Sequence, residues 1–356
     1  MISVTPIEFA SPDWRKHTAA FPGRTIYQHP AWMAFVAETQ HATPVVAELH
    51  EGNSRLGYFT GLLFHRFGIK VLGSPFPGWS TAYMGFLLED GVSRTEAMAA
   101  VMKFAFYELG CAHVECMDRN LSVEEADRSG LPYNLYTSFE VDVRPEEKQI
   151  LANMSREKRT NLRKAEKNGL FVEESTDEKF ADDYYAQLCE VFHHQGLAPT
   201  YSLARVRALI RHMLPTGNLL LLRVRDRSGR CIATNISFGE QKRGYVWGAA
   251  SLREHQILRP NELIFWHTFR YWKARGAEFI DLTGNADYKA RYGAYRIYLP
   301  WFQKSKYPLL AQLRNSAREL VRMKQRIQGK LGTPQPLPSS GLRPPSSAQS
   351  PHLTNP

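Results

Sequence analysis

The stretch Asn218–Ala250, NLLLLRVRDRSGRCIATNISFGEQKRGYVWGAA, decides the fold. Its apolar runs Asn218–Val224, Cys231–Phe238 and Tyr245–Ala250 are separated by the turn Asp226-Arg227-Ser228-Gly229 and the polar loop Glu240–Arg243. Short runs joined by tight turns predict three consecutive strands of a meander. Pro260 then opens a helix through Leu263, Trp266 and Phe269 that ends at Gly276, and Glu278–Leu282 reads as a buried strand. Ahead of the meander come a basic helix, Ser155–Asn168, stopped by Gly169, then a long helix, Asp177–Phe192, and another, Leu203–Met213.

The first half of the chain shows the same alternation without visible sequence repetition. Pro30–Gln40 predicts a helix with proline in its first turn. Val45–Leu49, Arg55–Phe64 and Ile69–Gly73 predict strands, separated by Glu51-Gly52-Asn53 and Phe67-Gly68. A loop rich in proline and aromatics, Ser74–Trp79, runs on to Tyr83-Met84-Gly85-Phe86. Ser93 and Glu96 have capping-box spacing at the head of a helix that stops at Gly110, and Cys111–Met117 and Ser138–Val143 read as strands. Mixed strands with occasional helices imply an α/β (α+β) sandwich whose sheet is mainly antiparallel, not a doubly wound parallel sheet.

With 356 residues the chain can hold two domains, and no apolar run approaches the ~18 residues of a membrane span. Met1–Trp14 lacks the basic and apolar regions of a signal peptide. Cys111, Cys116, Cys189 and Cys231 form no CxxC pair, so reduced thiols in a cytoplasmic protein are expected. Cys111, His113 and Cys116 bracket an apolar strand, where cysteine acts as a small hydrophobe, and no metal site is expected. The net charge of +10 is concentrated: Ser155–Asn168 carries six Lys/Arg against two Glu, and Lys304–Lys330 eight against Glu319 alone. Such surfaces attract phosphates, nucleic acid or an anionic membrane, the last suggesting a peripheral position at the inner membrane face; the alternative is a solvated helix face. After Pro300, Leu310, Leu313, Ala317, Leu320 and Ile327 recur at helical spacing, and Thr333–Pro356 is a Pro/Ser-rich stretch of disorder-forming composition.

Four segments, taken in order, resemble the FemAB-type proteins of the GNAT acyltransferase superfamily. Ser74-Pro75-Phe76 with Tyr83-Met84-Gly85 is similar to the family's Pro-Phe loop and Tyr-Gly-Gly turn. Met154–Leu170 looks like the basic helix opening the second lobe, Gln195–Pro199 like the break after its long helix, and Tyr288-Lys289-Ala290-Arg291-Tyr292-Gly293 like the closing (Phe/Tyr)-Lys-x-x-(Phe/Tyr)-Gly. The resemblance implies GNAT-like lobes at 1–150 and 151–303, a basic helix at 304–330 packing back on the first lobe, and a tail at 331–356. It also implies an acyl or aminoacyl group moved onto an amine, with acyl-CoA or aminoacyl-tRNA as co-substrate and no permanently bound cofactor. The acceptor implied is a nucleotide- or lipid-linked amine of a cell-envelope or polysaccharide precursor.

Lys289 is the foremost candidate for charge stabilisation, by resemblance and because its loop follows a buried strand. Arg291 and Tyr288 share that loop. Asp281 is a candidate general base, with a structural role at the strand end as its alternative, and His193 and His194 have a suitable intrinsic pKa. Tyr83, Trp79 and Phe76 are candidate walls of an acceptor cleft between lobes. Arg159 and Arg163 on the basic helix, and Arg259 before Pro260, are candidates for phosphate contacts. GNAT proteins that bind acyl-CoA place bare backbone N–H groups of a glycine-bearing loop at the pyrophosphate, yet Gln256–Asn261 has no glycine and Pro260 lacks a donor. No Gly-x-Ser-x-Gly appears, so direct attack by the amine is expected. The alternatives are an aminoacyl-tRNA-dependent transferase and a non-catalytic module that docks on anionic membrane or nucleic acid.

Overall fold

The computed structural model describes residues 1–19, 21–66 and 68–307. The helix expected at 304–330 and the tail at 331–356 lie outside the described residues, apart from 304–307; Lys304 and Ser305 belong to a strand. The first half of the chain runs β1 (Ser3–Ile7), α1 (Pro12–Ala19), α2 (Pro30–Gln40), β2 (Thr43–Glu51), β3 (Ser54–Arg66), β4 (Ile69–Ser74), β5 (Gly85–Leu88), α3 (Arg94–Tyr107), β6 (His113–Met117), α4 (Val123–Ser129) and β7 (Tyr133–Asp142). After a connecting pair, α5 (Glu147–Asn153) and α6 (Arg156–Lys167), the plan repeats. It reads β8 (Phe171–Ser175), α7 (Phe180–His194), α8 (Leu203–Met213), β9 (Leu219–Arg225), β10 (Cys231–Glu240), β11 (Arg243–Ser251), α9 (Pro260–Ala274), β12 (Phe279–Asp281), a 3-10 turn (Asp287–Tyr292) and β13 (Tyr295–Ser305).

Local chemistry accounts for most boundaries. Ser93, Ser122, Ser155 and Ser202 each accept a backbone N–H at the head of a helix, satisfying one of its orphan donors. Pro30 and Pro260 fill first-turn positions where no N–H is needed. His29 caps α2 through Nδ1, which accepts from Ala31 N at 3.1 Å. Burial, helped by the Arg24 charge, lowers its pKa to about 4 and keeps that nitrogen a lone-pair acceptor.

The strands form one sheet in the order β1-β2-β3-β4-β6-β13-β7-β12-β11-β10-β9-β8, with β5 paired to β3. The two mainly antiparallel sheets expected from the sequence are therefore joined, and the last strand of each half has crossed over. β13 pairs with β6 through Trp301–Ser305, β7 pairs with β12 through Glu140–Asp142, and β7 and β13 pair with each other at the centre. Only β4–β6 and β11–β12 are parallel among the described pairings. β13 was not legible as a strand, because Pro300 interrupts its pattern. In the sheet Pro300 faces Leu135 on one side and precedes the first residue paired with β6, so its missing N–H costs no ladder bond there.

One face of the sheet carries a cluster shared by both halves, in which Trp32, Tyr58 and Tyr83 meet Tyr184, Leu209 and Tyr245. The other face is covered by α3 in the first half and by α9 in the second, where Ile264, Phe265, Phe269 and Trp272 are buried. Each such side chain contributes about 1.5–3 kcal/mol of burial. Gly57 shows how tightly β5 is held. Its φ is +142°, and an added Cβ would lie 2.0 Å from the Leu87 carbonyl oxygen. Gly57→Ala is expected to lower stability by about 2–4 kcal/mol, read as a shifted urea midpoint, because backbone strain and a clash with backbone act together.

Candidate functional site

The site grows from the point where β11 and β12 part. They pair only over Arg243–Tyr245 and Phe279–Asp281, so Val246–Ser251 lose their neighbour on that edge. A bulge opposite Ile236 and Ser237 makes Trp247 an extra residue, and its indole Nε1 donates to Ser80 O at 2.9 Å. Thr283 Oγ1 donates to Val246 O at 2.7 Å and marks the fork of the opening.

Asp281 ends β12 at this fork, with no exposed surface. Its Oδ1 accepts from Ser138 Oγ at 2.6 Å and from Thr283 N at 2.7 Å, and its Oδ2 from Tyr83 Oη at 3.0 Å. Two of those donors belong to the first half of the chain, Tyr83 in the loop before β5 and Ser138 on the crossed strand β7. The Tyr27 ring meets those of Tyr83 and Tyr245 edge to face, at centroid distances of 5.4 and 5.1 Å. Burial raises the pKa of all three phenols, and the Asp281 charge adds to it.

Lys289 reaches back across the turn, its ammonium donating to the Thr283 carbonyl. Burial lowers its pKa from the ordinary lysine value, and the Asp281 charge opposes that shift. Asp281 and Lys289, eight residues apart, are thus joined by Tyr83 from the other half of the chain.

The other candidates divide. Tyr288 is half exposed beside Lys289, whereas Tyr292 of the same turn is buried against Phe265 and Phe269 and anchors the turn to α9. Arg291 pairs with Glu157 of α6 at 2.9 Å, and its carbonyl accepts from Ser155 N. Trp79 is 2% exposed, and its ring packs on Phe64 and Phe76, so these aromatics brace the loop that carries Tyr83. Arg159 closes the end of α5 by donating to the Ala152 and Met154 carbonyls, and Arg163 is exposed on α6. His194 lies beside Glu190 in an open cleft of about 500 Å³ with Arg230, Leu252, Arg253 and Glu254, a group that includes neither Asp281 nor Lys289. His194→Ala is expected to change stability by less than about 0.5 kcal/mol, read as an unshifted urea midpoint, as for surface substitutions that break no core, cap or network.

Ser138, Thr283, Tyr136 and Tyr245 also line the site, though no sequence motif marks them. Tyr136 and Ser138 alternate along β7, and the Thr283-Gly284 turn after a buried strand was the available signal. Among the described residues no group of three His, Cys, Asp or Glu side chains converges as a metal site. Cys111 and Cys116 are buried, burial raising the Cys111 thiol to about 11. No described helix is long and apolar enough to cross a membrane.

The loop beyond the fork does not suit a pyrophosphate. Arg259 adopts φ 67° at the head of α9, Pro260 follows it, and Ile257 is 76% exposed. In the first turn of α9, where a helix favours an anion, Glu262 is already buried. Lys158 Nζ donates to it at 2.7 Å and Asn161 Nδ2 at 3.4 Å.

The architecture is two repeated βα units, the second holding a forked parallel pair. Residues 152–290 match the family model described as an acetyltransferase (GNAT) domain. The chain is similar to FemX, with a TM-score of 0.67 at 13% identity over 84% of this chain and 97% of that one. It is also similar to L-PGS from Bacillus licheniformis (TM-score 0.52, 10% identity, 86% and 96% covered). A tandem GNAT protein from the clavulanic acid biosynthesis pathway has a TM-score of 0.51 at 11% identity, with 86% and 99% covered. No curated protein sequence matches the chain. Residues 152–290 thus match a GNAT acetyltransferase domain model, and the chain shares its overall fold with FemX.

Proposed function

We propose that the protein is an N-acyltransferase in which an acceptor amine attacks an activated acyl group directly, beside Lys289 at the fork of β11 and β12. The observation that carries this reading is the seated ammonium of Lys289, half-buried at the end of the parallel pair in a GNAT domain. In the reaction the amine nitrogen bonds to the acyl carbon, the bond to the carrier breaks, and the amine proton leaves with the carrier or to water. An ammonium held in a desolvated place stabilises the charge that develops on the acyl oxygen or the departing group. We assign the acceptor to amines of cell-envelope or polysaccharide precursors, following the family resemblance.

For the donor, the loop at α9 favours a carrier other than a CoA thioester, since Glu262 stands where a pyrophosphate would bind. An aminoacyl-tRNA is the reading that this site and the exposed basic face of α6 support, through Arg156, Arg163, Lys164 and Lys167. Purified protein incubated with acyl-CoAs or charged tRNAs and candidate amines, with transfer read by mass spectrometry, tests it. Transfer from a charged tRNA, weakening as salt rises, supports the donor assignment; transfer from acyl-CoA alone replaces it. If neither donor is used under any condition while the protein still binds anionic vesicles or nucleic acid, the acyltransferase reading fails.

A further inference from the structure

Asp281 has no surface through which an amine could reach it, and hydrogen bonds already occupy both its oxygens. A general base needs a path to the proton it removes, and this carboxylate has none. What it holds instead is the turn that follows. Thr283 has φ 47°, a left-handed conformation that β-branched residues avoid and that persists only where the surroundings impose it. The surroundings here are three bonds: Thr283 N to Asp281, Thr283 Oγ1 to Val246 O, and the Lys289 ammonium to the Thr283 carbonyl. Gly284 follows at φ 76°, its N–H donating to Tyr136 Oη at 3.2 Å, and an added Cβ there would sit 3.4 Å from Lys289 Nζ.

We propose that Asp281 is a positioning residue: it clamps the Thr283–Gly284 turn that seats the Lys289 ammonium, and the clamp closes only when Tyr83 and Ser138 from the first half of the chain reach it. The crossed strand β7 thereby becomes part of the site rather than a support for it, since it carries Ser138 and Tyr136 to the turn. The position of Lys289 is then set jointly by both halves, and loosening either one unseats it. The inference rests on the acyl-transfer reading of Lys289 for its consequence to rate, but not for its geometry.

The charges near Lys289 make the test readable. Asp287 in the same 3-10 turn is tied to Arg296 of β13 at 2.6 Å, and Arg291 to Glu157 of α6. Tyr136 of β7, Tyr83, Tyr245 and Tyr288 are the phenols around the turn, and Asp281 is the charge acting on Lys289 among the described residues. Unseating Lys289 relieves its burial, so its titration must move up toward that of an exposed lysine.

The experiment uses the full chain with its lysines reductively methylated by ¹³C-formaldehyde, the Lys289 signal being assigned by its loss in Lys289→Arg. In the double variant Tyr83→Phe/Ser138→Ala, which keeps the Asp281 carboxylate, the Lys289 midpoint is expected to rise. Its kcat is expected to fall about 10–100-fold with a smaller change in KM, as for a misplaced catalytic group. A folded double variant whose Lys289 titrates as in the wild type overturns the proposal, whatever its activity. If the double variant does not fold, Tyr83→Phe alone is read the same way. Should the wild type transfer nothing while the titration still moves, the positioning role stands and the acyl-transfer reading is what fails.

Discussion

Lys289→Ala is expected to lower kcat by about 10²–10³-fold while leaving KM nearly unchanged, the loss typical of removing one preorganised donor to a developing charge. The split matters because a lysine that merely attracts substrate would act on KM. The pH profile gives a second signature. Burial lowers the pKa of Lys289, so the protonated form needed for charge stabilisation is lost at lower pH than for an ordinary lysine. The rate of the wild type should therefore decline on the alkaline side as pH rises through that lowered pKa, and the decline should be absent from whatever activity Lys289→Ala retains. Stability moves the other way. Between the lowered folded pKa and the unfolded value near 10.5 the unfolded chain binds more protons, so this group's contribution makes the fold more stable as pH rises through that window. Lys289→Met removes a desolvated ammonium but also its bond to the Thr283 carbonyl, so the melting temperature below that window should change little while kcat falls as in Lys289→Ala. A variant that loses activity and melting temperature together would mean that Lys289 is a structural residue.

Much of this fold could be read locally. The bounds of α2 and α8 coincide with Pro30–Gln40 and Leu203–Met213, since Pro30 and Ser202 mark their starts chemically and the apolar spacing marks their length. The meander β9–β10–β11 follows from its turns. The candidate site was legible only in part, because Tyr83, Ser138, Asp281 and Lys289 are brought together by the crossing of β7 and β13, a pairing between residues more than 150 positions apart. Nothing in the periodicity of either strand announces that exchange, and Pro300 disguised one of them. Arg159 misled for a different reason. Its basic helix signals an anion site, but the side chain turns back to cap the helix before it, a use that composition does not distinguish from phosphate binding.

Arg24→Met should destabilise the protein by about 3–5 kcal/mol, the cost of leaving one charge of a buried pair uncompensated. Arg24 is 8% exposed and donates to Glu240 Oε1 from both Nε, at 3.0 Å, and Nη2, at 2.5 Å. Asn218 Nδ2 holds the other oxygen at 2.8 Å. Burial raises the pKa of Glu240 and Arg24 opposes that shift, so without Arg24 the carboxyl is pushed further up. A carboxyl whose folded pKa lies above its unfolded value stabilises the fold most below the unfolded pKa and loses that contribution as pH rises through the folded one. The deficit of Arg24→Met should accordingly be largest at neutral pH and shrink on acidification, as Glu240 takes up a proton. Urea unfolding of wild type and variant at several pH values measures this, and a deficit independent of pH would show that lost packing, not the stranded charge, is responsible. Arg24→Met/Glu240→Met should recover most of the stability, since a buried pair and an apolar replacement of similar volume are often near equal. The consequence reaches the site. Gly23 N and Phe21 O are both bonded to the Gln241 side chain beside Glu240, and this clasp holds the segment carrying Tyr27 over Tyr83 and Tyr245. Breaking the ion pair frees the Tyr27 ring that packs on Tyr83, so a sub-stoichiometric loss of transfer in Arg24→Met below its melting temperature should be rescued in the double variant along with the stability.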